Sequence, residues 1–149
     1  MTKSDLQQKV KESMLARDEL RTSVLRMLVS AITYMEIQKG GAGYVATEED
    51  VMNTIQSEAK KRRDSIEQYT SAGRAELAEK EEAELKILQE FLPEQMSEED
   101  VATLVNEAIT QTGASSAADM GKVMAVLMPK VKGQADGNLV SRLVKENLT

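Results

Sequence analysis

The chain lacks cysteine, histidine and tryptophan altogether, and aromatic residues make up only 3% of it. Without cysteine or histidine it can form no disulfide, no thiolate or imidazole zinc site, and no Ser-His-Asp or Cys-His catalytic group. Two prolines and eight glycines are too few for many turns, so a chain of this length is expected to be helical. The shortage of aromatic rings argues against base stacking, so any RNA contact is expected to read backbone and shape.

The length of 149 residues is enough for one ordinary domain or two small ones, and 41% hydrophobic with 30% charged residues is a globular balance. Residues 1–7 contain no apolar stretch, and the longest apolar run, 123–128, is too short to span a bilayer. We therefore expect a soluble, cytoplasmic protein with no membrane partner. The sequence leaves the oligomeric state open, a monomer included.

The net charge of −6, from 19 basic and 25 acidic residues, should repel nucleic acid at long range. The charge is unevenly distributed, because residues 120–149 contain five basic and two acidic residues, a local balance of +3. An anionic partner is therefore expected to bind at the C-terminal end.

Helix-capping residues, and apolar residues at three- and four-residue steps, predict an all-α fold of seven helices. Ser4 with Gln7 is expected to cap the first helix, and Pro129 to end the sixth helix at Met128. We divide the chain into an N-terminal four-helix region, residues 1–93, and a C-terminal three-helix region, residues 94–149. The amphipathic stripe of the second helix consists of Leu20, Val24, Met27, Leu28, Ala31, Ile32 and Met35.

Arg62 falls inside the apolar stripe of the third helix, as Glu81 and Glu84 do in the fourth. Arg62 lies 11 residues before Gly73 and Glu84 lies 11 after it, so an antiparallel hairpin bent at Gly73 would bring the two level. An unpaired guanidinium in a core is costly, so we predict a partly buried structural ion pair of Arg62 with Glu84, with Glu81 or Glu58 as second acceptor. Ligand contact is the alternative role of Arg62. The glutamates are expected to be paired or solvated, neither catalytic nor metal-binding.

Residues 121–137 combine a helix, a basic turn bounded by glycine, and the start of the last helix. Lys122 on the first of these helices, with Lys130 and Lys132 in the turn, would suit phosphate groups, as would free N–H groups at the start of the last helix. Arg142 and Lys145, three residues apart, add positive charge on the polar face of that helix. These five residues are the candidate nucleic-acid contacts.

Two alternative interpretations use the same segment without RNA. Asp136 would cap the last helix and occupy its N–H groups, leaving a solvated lysine turn, and the residues support this about as well as phosphate binding. Met120, Met124 and Met128 recur at four-residue steps, which is typical of core packing but also of a soft, partner-binding helix face. The second pattern defines the main functional alternative, a protein–protein adaptor.

Five segments, taken in order, together resemble the YqeY family over essentially the full chain. They are Lys61-Arg62-Arg63-Asp64-Ser65-Ile66-Glu67, Ala72-Gly73-Arg74, Glu81 to Phe91-Leu92-Pro93, Gly121-Lys122-Val123-Met124 and Lys132-Gly133-Gln134-Ala135-Asp136-Gly137. That family is similar to the C-terminal tail domain of GatB, one component of the glutamyl/aspartyl-tRNA amidotransferase, in which the tail helps to hold the tRNA. The resemblance implies an all-helical two-part fold and binding of tRNA or a tRNA-bearing complex.

The resemblance does not transfer catalysis. The tail is not the catalytic part of the amidotransferase, so glutamine-dependent carbon–nitrogen ligase chemistry is associated with this chain only by ancestry. An amide-transferring enzyme needs a nucleophile with an activating base, and none can be assembled here from serine, lysine and carboxylates. We therefore expect a non-catalytic tRNA-binding type of module, with no catalytic residue, metal or cofactor.

Overall fold

The computed structural model describes residues 1–148 and contains seven α-helices in that range, which confirms the all-α fold class. None of the described helices is long and apolar enough to cross a membrane. The helices are α1 (Lys3–Leu15), α2 (Glu19–Gly40), α3 (Glu48–Ser71), α4 (Ala75–Gln89), α5 (Glu98–Thr112), α6 (Met120–Val131) and α7 (Gly137–Asn147). They divide into two compact units, Met1–Leu92 and a second that begins at Pro93.

The first helix begins two residues earlier than the capping pattern predicts. Thr2, not Ser4, is its cap: the Thr2 hydroxyl accepts from Asp5 N at 3.2 Å, and the Asp5 carboxylate accepts from Thr2 N at 2.8 Å. Asp fulfils the reciprocal role that was assigned to Gln7, because a carboxylate at the third helical position also favours the positive end of the helix dipole.

Pro129 does not end α6, which continues to Val131. A proline this close to the end of a helix removes one hydrogen bond and crowds one carbonyl, and only two helical residues follow it. The helix is held beyond it by Val131, which is 1% exposed in the core, and by Lys132 N, which donates to Met128 O at 2.9 Å. The prediction of a stop at Met128 was therefore wrong.

The core of the first unit is formed by α1 to α4, with α3 and α4 packed as an antiparallel hairpin around the left-handed Gly73. The predicted α2 stripe is only partly correct, because Leu20 and Met27 are 39% and 47% exposed. Neighbouring helices cover one side of α2. Leu20 and Met27 are left largely exposed, although the Met27 sulfur is 3.8 Å from Arg62 Nη2 of α3. The buried α2 residues are Thr22, Val24, Leu25, Leu28, Ile32 and Glu36.

The second unit has a separate core built from α5, α6 and α7. Its buried side chains recur mainly at three- and four-residue steps on each helix. Three short amphipathic helices can therefore enclose one apolar core. The buried side chains are Val101, Val105 and Ala108 from α5, Val123, Leu127 and Val131 from α6, and Val140, Leu143, Val144 and Leu148 from α7 and its end.

Candidate functional site

All five predicted nucleic-acid contacts lie on the surface of the second unit. Their side chains are exposed, because each occupies a helix or turn position that points away from the buried valines and leucines. Exposure is the minimum requirement for contact with a phosphate backbone. The five are Lys122, Lys130, Lys132, Arg142 and Lys145.

Lys122 and Lys130 lie on one side of α6. They are eight residues apart, which places them about 80° apart around the helix axis and about 12 Å apart along it. Lys122 is 75% exposed and its ammonium is 3.9 Å from Asp119, a long contact at the surface. Lys130 makes no ion pair within the part of the chain that the structure describes.

The turn that contains Lys132 is fixed by main-chain contacts. Met96 N donates to Gln134 O at 2.7 Å, and the Gln95 side-chain amide donates to Gly133 O at 2.8 Å. Gly133 has a φ of 78°, a conformation that glycine adopts without strain. The sequence interpretation treated residues 93–96 only as a break between helices. In the structure this segment holds the basic turn in place.

Arg142 differs from Lys130 in having an ion-pair partner. Its Nη2 lies 2.9 Å from Glu98 Oε1 in the acidic first turn of α5. Both side chains are more than half exposed, so the pair contributes little stability and a phosphate can compete for the guanidinium. Lys145 stands in the last turn of α7, where its charge favours the helix dipole. Both residues stay candidate contacts on α7.

The start of α7 follows the capping alternative. Asp136 Oδ1 accepts from Asn138 N at 3.1 Å, so a carboxylate already occupies the position that a phosphate would take. Anion binding at this helix start would have to displace a negative charge. The candidate interface therefore consists of side chains, without the N–H groups at the start of α7.

The methionine stripe is mostly part of the core. Met120 and Met124 pack against the buried residues of the second unit, and Met128 is 37% exposed. This arrangement matches the core-packing interpretation of the stripe.

Arg62, Glu81 and Glu84 meet in the first unit. Arg62 Nε lies 3.0 Å from Glu84 Oε2 and 3.6 Å from Glu81 Oε2, and the Arg62, Glu84 and Glu81 side chains are 11%, 11% and 20% exposed. The N–H is not aimed along a hydrogen bond, because neither Arg62 Nε nor Glu81 Oε2 has a hydrogen-bond partner within residues 1–148. Charge attraction therefore dominates this contact. Glu58 pairs with Lys61 at 2.8 Å.

Asp50 is the centre of a second polar cluster, which sequence reasoning missed. Its carboxylate accepts from Lys39 Nζ at 2.5 Å, from the Tyr44 hydroxyl at 2.6 Å and from Thr47 N at 3.0 Å. The Lys39 ammonium and then the Tyr44 hydroxyl hold the pKa of Asp50 well below its usual range. Gly40 makes this possible, because a Cβ there would lie 2.7 Å from Tyr44 Cβ.

Glu36 plays a similar role nearby. It is 8% exposed, accepts from Lys3 Nζ at 2.6 Å and from Ala46 N at 2.9 Å, and these two donors lower its pKa. The loop after α2 is therefore tied down by two buried carboxylates. The donors to Asp50 and Glu36 come from segments far apart along the chain, so their sequence spacing provided no signal of the two clusters.

A family model described as Yqey-like protein matches residues 3–148. The chain belongs to the YqeY family. This YqeY-family chain is 36% identical over 92 residues to an uncharacterized protein of Schizosaccharomyces pombe, a match that covers 62% of this chain and 72% of that protein.

Two further relatives carry the name altered inheritance of mitochondria protein 41, mitochondrial. The one from Lachancea thermotolerans is 29% identical over 116 residues, covering 76% of this chain and 60% of the relative. The one from Pyrenophora tritici-repentis is 34% identical over 107 residues, covering 68% and 58%. The match spans less than two thirds of both mitochondrial proteins.

Proposed function

We propose that this YqeY-family chain is a non-catalytic module that binds tRNA, or a tRNA-bearing complex, through Lys122, Lys130 and Lys132. The observation that carries the proposal is the exposure of three lysines on α6 and on a turn that main-chain contacts hold in place. A preorganised set of cations loses less conformational entropy on binding than lysines on a mobile loop.

The charges of the second unit are partly segregated, which favours a small interface. Three of its eight acidic residues, Glu98, Glu99 and Asp100, lie together in the first turn of α5, whereas Asp119, Asp136 and Glu146 are interspersed with the basic residues. The basic residues belong to α6, the turn and α7. Three phosphate contacts without aromatic stacking would give moderate, strongly salt-dependent binding that reads backbone and shape. Residence in the cytoplasm stays a prediction, and two relatives are named as mitochondrial proteins.

The test is tRNA binding to the full chain, measured by fluorescence anisotropy at several salt concentrations. Replacing Lys122, Lys130 and Lys132 together with alanine should lower the slope of log K against log salt by about 2, since each lost phosphate contact removes about 0.7 to 0.9. A matched control replaces three exposed lysines of the first unit and changes the net charge equally. Those control residues are Lys11, Lys80 and Lys86.

The two triple variants should behave differently. The control should retain the wild-type slope apart from a small shift due to net charge. Equal loss in both variants would show that binding follows total charge and not this surface. The proposal would be refuted if the wild-type chain did not bind tRNA, or if its binding did not depend on salt.

A further inference from the structure

The outer face of α2 carries a row of exposed side chains, one of which, Met27, also touches α3 through its sulfur, 3.8 Å from Arg62 Nη2. They recur at alternating steps of three and four residues, which is the spacing of the contact seam between two helices lying side by side. The row spans about 25 Å of helix at 1.5 Å per residue. We call it the α2 seam: Leu20, Ser23, Met27, Ser30, Tyr34 and Ile37.

The α2 seam is apolar and uncharged on an otherwise charged protein. Leu20, Met27, Tyr34 and Ile37 are 39%, 47%, 63% and 58% exposed, and the two remaining positions are serines small enough to let a second helix approach closely. Charged residues make up 30% of the chain, yet none occurs among the six positions. A contiguous apolar strip of this kind is characteristic of an interaction surface.

A groove runs beside the α2 seam, between α2 and α3. Its volume is about 600 Å³, and Ala31, Met35 and Thr54 are among the half-buried residues that line it. Tyr34 and Ser30 belong to both the groove and the seam. The two features therefore form one elongated surface that a helix can fill.

The two ion pairs that border the groove present their positive members to solvent. Lys39 is 52% exposed and its partner Asp50 only 9%. Lys61 is 66% exposed and its partner Glu58 only 13%. In both pairs the carboxylate is buried beneath the ammonium, so an approaching molecule meets the ammonium first. On the opposite flank of the seam Arg26 is exposed, and so is Glu19, seven residues before it on the same side of α2.

We propose that the α2 seam and its groove bind an amphipathic helix of a partner protein, with apolar residues at three- and four-residue steps and carboxylates on its flanks. The apolar residues cover the seam, and the flanking carboxylates meet the three exposed cations, which is the helix-in-groove mode of recognition. The charges set orientation and preference, whereas apolar burial supplies most of the affinity.

The probes are two synthetic three-heptad helices with identical leucine seams, one with glutamate and the other with lysine at the flanking positions. Binding to the full chain is measured by NMR chemical-shift perturbation and titration. The glutamate peptide should bind at least tenfold more tightly than the lysine peptide, and the perturbed amides should be those of α2 and the facing side of α3.

Two double variants, each replacing two exposed apolar residues with serine, locate the site. Tyr34→Ser with Ile37→Ser should weaken the glutamate peptide at least tenfold. Leu15→Ser with Leu77→Ser, which removes exposed apolar side chains outside α2, should change its affinity less than twofold. Circular dichroism melting checks that both variants remain folded.

Three outcomes would overturn the proposal. Equal affinity for the two peptides would show that the cations play no part, and equal loss in the two double variants would show non-specific apolar binding. A concentration-dependent dimer in light scattering, abolished by Tyr34→Ser with Ile37→Ser, would assign the seam to a second copy of this chain instead.

Discussion

Replacing Arg62 with methionine should destabilise the first unit far more than replacing any exposed cation of the same helix. The Arg62, Glu84 and Glu81 side chains are 11%, 11% and 20% exposed, so removal of the guanidinium leaves two poorly solvated carboxylates close together. Breaking a buried pair in this way lowers the free energy of unfolding by about 3 to 5 kcal/mol. Because these side chains keep some exposure to solvent, we expect a loss of about 3 kcal/mol for Arg62→Met.

The double variant Arg62→Met with Glu84→Leu tests whether the cost comes from the stranded charge. Replacing both members of a buried pair by apolar side chains of similar volume is often close to neutral, so the double variant should recover to within about 1 kcal/mol of the wild type. Glu81 remains, but at 20% exposure solvent screens it better than Glu84.

The assay is urea unfolding followed by tyrosine fluorescence. The chain has no tryptophan, and its three tyrosines, Tyr34, Tyr44 and Tyr69, all belong to the first unit, so the signal reports that unit alone. The control is Lys60→Met, which removes a cation from a pair with Asp64 at 3.5 Å in which both side chains are nearly half exposed. That change should cost less than about 1 kcal/mol.

The reasoning would be refuted if Arg62→Met cost no more than Lys60→Met. It would also be refuted if the double variant were as unstable as the single one, since the loss would then come from packing and not from uncompensated charge.

Two further predictions concern the first unit. Arg17 has a φ of 57°, a left-handed conformation that strains a side-chain-bearing residue, so Arg17→Gly should raise stability by about 0.5 to 1 kcal/mol in the same urea assay. Asp50 has a folded pKa below its unfolded value of about 3.9, so its contribution is present above that pH and is lost as the pH falls through the folded pKa. The urea midpoint of the wild type should therefore fall more steeply below about pH 4 than that of Asp50→Asn, and parallel curves would contradict this.

Much of the helical architecture could be predicted because it depends on local chemistry. Capping residues such as Thr47 and Ser97, and apolar residues at helical spacing, mark where helices form whatever surrounds them. The contact of Arg62 with Glu84 was accessible for the same reason, since one short turn at Gly73 sets the register of a hairpin. The errors at Ser4 and Pro129 concern helix ends, where several residues compete for the same backbone groups.

The sequence by itself determined that this chain is helical, that α3 and α4 pair in one register, and that its lysines lie on the polar sides of α6 and its following turn. Only the tertiary structure decided which of two apolar faces of α2 is buried, and that Asp50 and Glu36 gather donors from distant segments. The physical reason is that helix formation and capping depend on residues a few positions apart. Burial and long-range charge pairing depend on which helices pack together, and spacing along one helix does not specify this.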